Sequence, residues 1–173
     1  MTPNLTKLTT NGARAHSPWK TMVTGAVGAA TVTLAHEIVR QLVPDAPRMD
    51  RAGMGLLARA LRSMGLPVPR AARLRGYTLI GDLVGNSMFY APIALSAKRP
   101  WLRGLALGTA AGAAAVLLTP MLGLPRRYRG TTLGSQAITI GLYALGGLVA
   151  GAVASLLDPS ERAPLVATDS PQG

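Results

Sequence analysis

The chain contains no cysteine, a single phenylalanine and only seven acidic residues among 173. Without cysteine there is no disulfide and no thiolate metal site, and the redox compartment stays open. Charge is scarce: 14% of the residues are Asp, Glu, Lys or Arg, against about a quarter in a soluble domain. Aromatics make up 4%, too few to stack bases along a basic groove, so the formal net charge of +11 does not read as a nucleic-acid surface. Catalytic signatures are missing as well. The segment "HEIVR" from His36 opens like a zinc-protease helix but ends in Arg40 where a second histidine is required, and the other histidine, His16, lies in a polar N-terminal stretch. No nucleophile elbow or phosphate loop occurs. The chain is expected to be no enzyme and to need no metal or cofactor.

What the sequence does contain is long intervals without charge. Thr21 to Ala35 carry none, Arg75 to Lys98 are interrupted only by Asp82, and the stretches between Arg103 and Arg126 and between Arg129 and Asp158 hold none. A bilayer about 30 Å thick needs roughly 20 apolar residues in a helix. The runs are continuous and not alternating, which excludes a barrel. They predict an all-α integral membrane bundle of four transmembrane helices, with spans at about 20–43, 76–96, 102–124 and 131–157 inside a domain of residues 19–157. Residues 1–18 and 158–173 are too polar to bury a core and read as disordered tails. The first apolar run follows some twenty polar residues and shows no small-residue cleavage site, so it is expected to remain as a span. Trp19 and Lys20 form an interfacial pair at its start.

The connection from Pro44 to Arg75 carries Arg48, Arg51, Arg59, Arg62, Arg70, Arg73 and Arg75 against Asp45 and Asp50. Within it Met54, Leu57, Leu61 and Met64 recur at helical spacing, with Arg51, Arg59 and Arg62 on the opposite side. The pattern predicts a short amphipathic surface helix at about 50–64, capped by Asp50 and stopped by Gly65 and Pro67. Its expected partner is anionic lipid, with Arg51, Arg59, Arg62, Arg70 and Arg73 at the headgroups, each contributing about 1 kcal/mol. Packing of this segment on its own bundle is the alternative. Arginine-rich segments beside spans stay in the cytoplasm. This connection, together with Arg126, Arg127 and Arg129, outweighs the basic residues on the other side and places both termini outside.

Small residues recur every fourth position: Gly81 and Gly85; Gly104, Gly108 and Gly112; Gly147 and Gly151; and Thr24, Gly28, Thr31 and Ala35. Such GxxxG-like faces let helices approach closely in lipid, where no hydrophobic drive brings them together. Some of these faces are open to a second copy or to another membrane protein. "GAATV" from Gly28 resembles "GAAAV" from Gly112, and Gly81, Asp82, Tyr90, Ala91 parallel Gly134, Ser135, Tyr143, Ala144. Either two repeated helix pairs or chance in a Gly- and Ala-rich chain accounts for this.

Polar residues also align. Thr33, His36, Glu37 and Arg40 share one face of the first span, Thr78, Asp82, Asn86 and Tyr90 one face of the second, and Thr132, Ser135, Gln136, Thr139 and Tyr143 one face of the fourth. Ionisable groups inside a span cost about 2.5–3.5 kcal/mol at the bilayer centre and turn toward protein or water. Glu37 and Asp82 lie about 9 Å inside the same leaflet at 1.5 Å per residue. A half-buried polar pocket of His36, Glu37, Arg40, Asp82, Asn86 and Gln136 is therefore expected, with Arg40 as counter-ion to one or both carboxylates and facing Asp82 across the helix interface; an ordinary i, i+3 pair of Glu37 with Arg40 is the alternative. It reads either as structural glue between helices or as a passage for protons or small solutes.

"EIVRQLVPDAP" closing the first span and "PMLGLPRR" closing the third resemble the YagU-like small inner-membrane proteins of bacteria, over most of residues 20–155. The long arginine-rich connection and the poverty of aromatics depart from that group. The resemblance implies a bacterial inner membrane and a link to acid tolerance, and it carries over no catalytic residue. Two roles follow as expectations. One is a non-catalytic membrane protein that organises lipids or partners, and the other is a small permease or proton-linked channel.

Overall fold

In the computed structural model the residues described are 17–44, 46–95, 98–125, 128 and 132–158. Both expected tails, apart from their inner ends, lie outside them, as do Arg126, Arg127 and Arg129. Among the described residues the chain is all-helical: α1 Pro18–Leu42, α2 Met49–Ser63, α3 Ala71–Tyr90, a 3-10 turn Ala91–Leu95, α4 Pro100–Met121 and α5 Leu133–Leu157. Three of these, α1, α4 and α5, are long and apolar enough to cross a membrane. Helix α3 has 20 residues but carries Arg73, Arg75 and Asp82, and it does not join those three.

The helix ends follow local chemistry. Proline opens α1 and α4, where its fixed φ suits the first turn and its missing N–H is not needed. Thr132 caps α5 by accepting from the Ser135 amide at 3.1 Å. Both α2 and α4 end in a left-handed glycine. Leu66 N–H reaches Leu61 O beyond Gly65, and Leu124 N–H reaches Thr119 O beyond Gly123, the 6→1 closure that needs glycine at this position. Helix α3 stops at Tyr90 because Pro92 withdraws an amide from the ladder.

Some boundaries differ from expectation. The second span was expected at 76–96, yet α3 begins five residues earlier at Ala71. Arg73 and Arg75 thus sit on its opening turns and not in a loop, as long side chains whose charged ends reach back toward the surface allow. Asp50 does not cap α2. Arg48 holds that position, with its amide bonded to Tyr128 O at 2.7 Å, and Asp50 falls inside the first turn, where the helix dipole favours a carboxylate. Helix α2 also rests on the protein itself. Ala52 and Ala58 are buried, Gly53 lies over Thr78 and Gly55 over Leu124.

The helices form an arc in the order α3, α1, α5, α4, with α3 and α4 barely touching. Contacts of Gly104 with Gly147, Gly108 with Tyr143 and Gly112 with Ile140 make α4 antiparallel to α5, and Gly28 against Ala150 with Gly25 against Ser87 make α1 antiparallel to both α5 and α3. The C-terminal ends of α1 and α4 and the N-terminal ends of α3 and α5 therefore share one face with α2. This is the basic face. The opposite end carries the exposed indoles Trp19 and Trp101. Large apolar side chains such as Met22, Leu34, Ile80, Met88, Leu117 and Leu133 point outward, a coat that water would not tolerate and lipid requires. The core is small: Val32, Tyr90, Ile93, Tyr143, Ala150 and Ala154. The Tyr90 hydroxyl donates to Tyr143 O at 2.8 Å within it.

Candidate functional site

A cavity of about 530 Å³ lies under the basic face between α1, α2 and α3, with Tyr143 of α5 as its floor. Its construction starts from helical register. His36, Glu37 and Arg40 fall on the inner face of α1, and Arg75, Thr78, Leu79 and Asp82 on the facing side of α3 at the same three- and four-residue steps. The first turns of α2 place Met49, Asp50 and Gly53 over the top, after Pro47.

At the mouth Glu37 gathers the cations. Arg40 donates to it twice, Nε to Oε2 at 3.2 Å and Nη2 to Oε1, and Arg75 Nη2 lies 3.8 Å from Oε2. The fork of a guanidinium matches a carboxylate, so this pair is well made for its short i, i+3 separation. Next to Glu37 in α1, the His36 ring meets Tyr143 edge to face at 5.6 Å between centroids. Its Nδ1 lies 3.0 Å from Val32 O. A carbonyl only accepts, so Nδ1 carries a hydrogen, while Nε2 is shielded and has no hydrogen-bond partner among the described residues. Asp82 is eleven residues into α3, about 16 Å from its start at 1.5 Å per residue. It lies within electrostatic reach of His36. Below it Asn86 approaches the Tyr143 hydroxyl. The cavity is blind there, because Val32, Tyr90 and Ile93 close the bundle toward the opposite face.

The structure brings His36, Glu37, Arg40 and Asp82 into one cavity. It does not pair Asp82 with Arg40, because Glu37 one turn earlier holds the guanidinium first. Asn86 and Gln136 do not line the cavity. In the α5 stripe only Tyr143 lines the cavity; Ser135 and Thr139 are buried elsewhere, with the Thr139 hydroxyl 3.4 Å from Ser135 O and the Ser135 hydroxyl 2.9 Å from that of Thr132. Sequence reasoning left out Arg75, Asp50 and Thr33 as cavity residues. Arg75 had a signal, since it precedes Asp82 by seven residues and shares its face.

The guanidinium of Arg59 reaches back to Leu122 O and Gly123 O at the carbonyl end of α4, where a cation meets the negative pole of the helix, although the residue is exposed. Arg51, Arg62, Arg70 and Arg73 are exposed. Among the glycines, Gly104, Gly108, Gly112, Gly147 and Gly151 stand against backbone of the facing helix, where any Cβ would overlap it, whereas Gly81 and Gly85 meet nothing within 4 Å. Gly25 and Gly146 are tight positions that the four-residue spacing missed. A Cβ at Gly25 would strike Ser87 O, and one at Gly146 the Val32 side chain.

Among the described residues no three His, Cys, Asp or Glu side chains come together as metal ligands. Comparison with known protein families, curated proteins and solved structures finds no match to this chain.

Proposed function

We propose that the chain is a non-catalytic, multi-pass protein of the bacterial inner membrane that crosses the bilayer four times and organises anionic lipid, or a partner held there, at its basic face. The observation that carries this is the convergence of exposed Arg51, Arg62, Arg70 and Arg73 at one end of the bundle, beside exposed Leu56, Met64 and Leu66. That mixture suits the headgroup boundary. Helix α3 serves as the fourth crossing. Its 20 residues span about 30 Å, it runs antiparallel to α1, and Ile80, Val84 and Met88 face outward. The GxxxG spacing of α4 and α5 is the pairing device of the bundle, and the unoccupied Gly81 and Gly85 leave α3 open to a second copy or another membrane protein. The YagU-like resemblance and the arginine-rich connections support the inner membrane, with both termini outside.

Lipid retention measured by native mass spectrometry tests the role. Wild type should retain phosphatidylglycerol over phosphatidylcholine, and combined Arg51→Gln, Arg62→Gln, Arg70→Gln and Arg73→Gln should lose that preference, at about 1 kcal/mol per arginine. Equal retention of both lipids by wild type sinks the proposal. The cysteine-free background tests topology: Ser63→Cys and Arg99→Cys, each alone, should react with an impermeant maleimide from opposite sides. Labelling from the same side removes α3 as a crossing.

A second reading, a small permease or proton-linked channel, is favoured by Asp82, an intramembrane carboxylate near a histidine at the bottom of a cavity open toward one side. Flux in proteoliposomes under a pH gradient, lost in Asp82→Asn or Glu37→Gln, supports it. Flux equal to that of empty liposomes removes it.

A further inference from the structure

Lipid at the arginine face leaves unexplained the cavity's charge and its side opening. Three carboxylates line it, Glu37, Asp50 and Asp82, with two guanidiniums, Arg40 and Arg75. Both guanidiniums face Glu37. Among the described residues no ion pair reaches Asp50 or Asp82. Asp50 leaves Oδ1 buried without a hydrogen bond, and His36, which lies within electrostatic reach of Asp82, already directs Nδ1 to Val32 O. Asp82 is itself exposed, and on a membrane-spanning helix a carboxylate without a counter-charge is costly, a cost that falls when a cation is brought to it.

Beside His36, Thr33 and Thr78 the wall is largely apolar: Leu34, Pro47, Met49, Ala72 and Leu79. Leu34 and Leu79 are also 63% and 52% exposed. They lie on the flank where α1 meets α3, so the cavity opens into the surrounding apolar layer as well as toward the basic face. The volume of about 530 Å³ lies within the range that encloses a small organic molecule. The aromatic ring of Tyr143 at the floor offers a further surface to a positive centre.

We propose that this cavity binds a singly charged amphiphilic organic cation that enters sideways from the membrane, with its positive centre at Asp82 and its apolar body between Leu34 and Leu79. The proposal rests on the membrane-spanning reading above. An anion of the same shape meets three carboxylates against two guanidiniums, with both guanidiniums turned to Glu37 at the mouth, and is rejected. A small metal ion finds no cluster of ligands among the described residues.

Two probes of equal shape and opposite charge test this: tetraphenylphosphonium and tetraphenylborate, in equilibrium dialysis against the full chain in nanodiscs of neutral lipid, with empty nanodiscs as blank. Wild type should bind the phosphonium saturably, at about one per chain, and the borate no more than the blank. Asp82→Asn should weaken phosphonium binding about tenfold or more. Leu79→Trp narrows the side opening without touching a charge and should also weaken it, which keeps the test sound if Asp82→Asn fails to fold. Saturable borate binding as tight as that of the phosphonium, no saturable phosphonium binding, or binding unchanged in both variants overturns the proposal. Opposite-side labelling of Ser63→Cys and Arg99→Cys, combined with no phosphonium binding, removes the cation site while the four-span reading stands.

Discussion

The α4–α5 seam and the α1–α3 seam are both lined with small residues, and they are built in opposite ways. Between α4 and α5, glycine meets backbone at every turn: Gly104 on Gly147, Gly108 on Tyr143, Gly112 on Ile140 and Gly151 on Trp101. Between α1 and α3 close contact is confined to the end away from the basic face, where Gly25 lies on the Ser87 carbonyl and Gly28 on the Tyr90 ring. Toward the basic face the helices part, and charged and hydroxyl side chains fill the gap around a cavity. Dispersion between close backbones holds the first seam. The second gives up that contact for room. The same chain thus carries a tight hinge-free pair and a splayed pair, and the splayed pair is where a ligand fits.

The largest effect that would break this comparison is a side chain forced into the tight seam. Gly108→Leu should cost about 3 kcal/mol, read as loss of the folded fraction in a detergent denaturation series. A near-neutral result would mean that α4 and α5 are not in backbone contact. Next comes the hydrogen bond that ties the two halves together. Tyr90→Phe removes the donor to Tyr143 O while keeping the ring, and should cost about 1 kcal/mol. A loss well above that would show Tyr90 acting through more than this bond.

Much of this was legible in the amino-acid order, for identifiable reasons. Charge-free runs reveal helices that lipid must cover, so α1, α4 and α5 were readable, and the amphipathic segment read as 50–64 is α2 at 49–63. Helix α3 was harder. Its opening turns contain Arg73 and Arg75, which look like loop until the helix supplies a surface for their stems to climb. Periodicity told which residues share a face but not what the face meets. Gly81 and Gly85 have the same spacing as Gly104 and Gly108, yet their neighbours are empty space in one case and backbone in the other. Arg40 was matched with one or both of Glu37 and Asp82 because all three are ionisable and face inward, and its fork takes the carboxylate on its own helix.

That distinction supports a smaller prediction. In a double-mutant cycle, Glu37→Gln with Arg40→Gln should show coupling of about 0.2–1 kcal/mol, as for a partly exposed pair. Asp82→Asn with Arg40→Gln should be additive within about 0.5 kcal/mol. Coupling in the second cycle larger than in the first would restore the pairing of Asp82 with Arg40. Arg59→Gln sits between these in size. It uncovers the last carbonyls of α4 and should cost about 0.5–1 kcal/mol, with little change in phosphatidylglycerol retention, because those carbonyls already engage the guanidinium.

The smallest expected effect is also the sharpest test of the contrast between the seams. A methyl group added to Gly81 or Gly85 meets no atom within 4 Å, and both glycines have ordinary helical φ. Gly81→Ala and Gly85→Ala should therefore change stability by no more than about 0.5 kcal/mol, with alanine's better helix propensity tending toward a gain. The same substitution at Gly104 would place its methyl on the Gly147 carbonyl. A spacing rule treats the three positions alike, so it predicts equal losses at all of them. If Gly81→Ala or Gly85→Ala does prove destabilising, the missing contact comes from outside the chain. In that case sedimentation in detergent should show an oligomer that the same substitution dissociates.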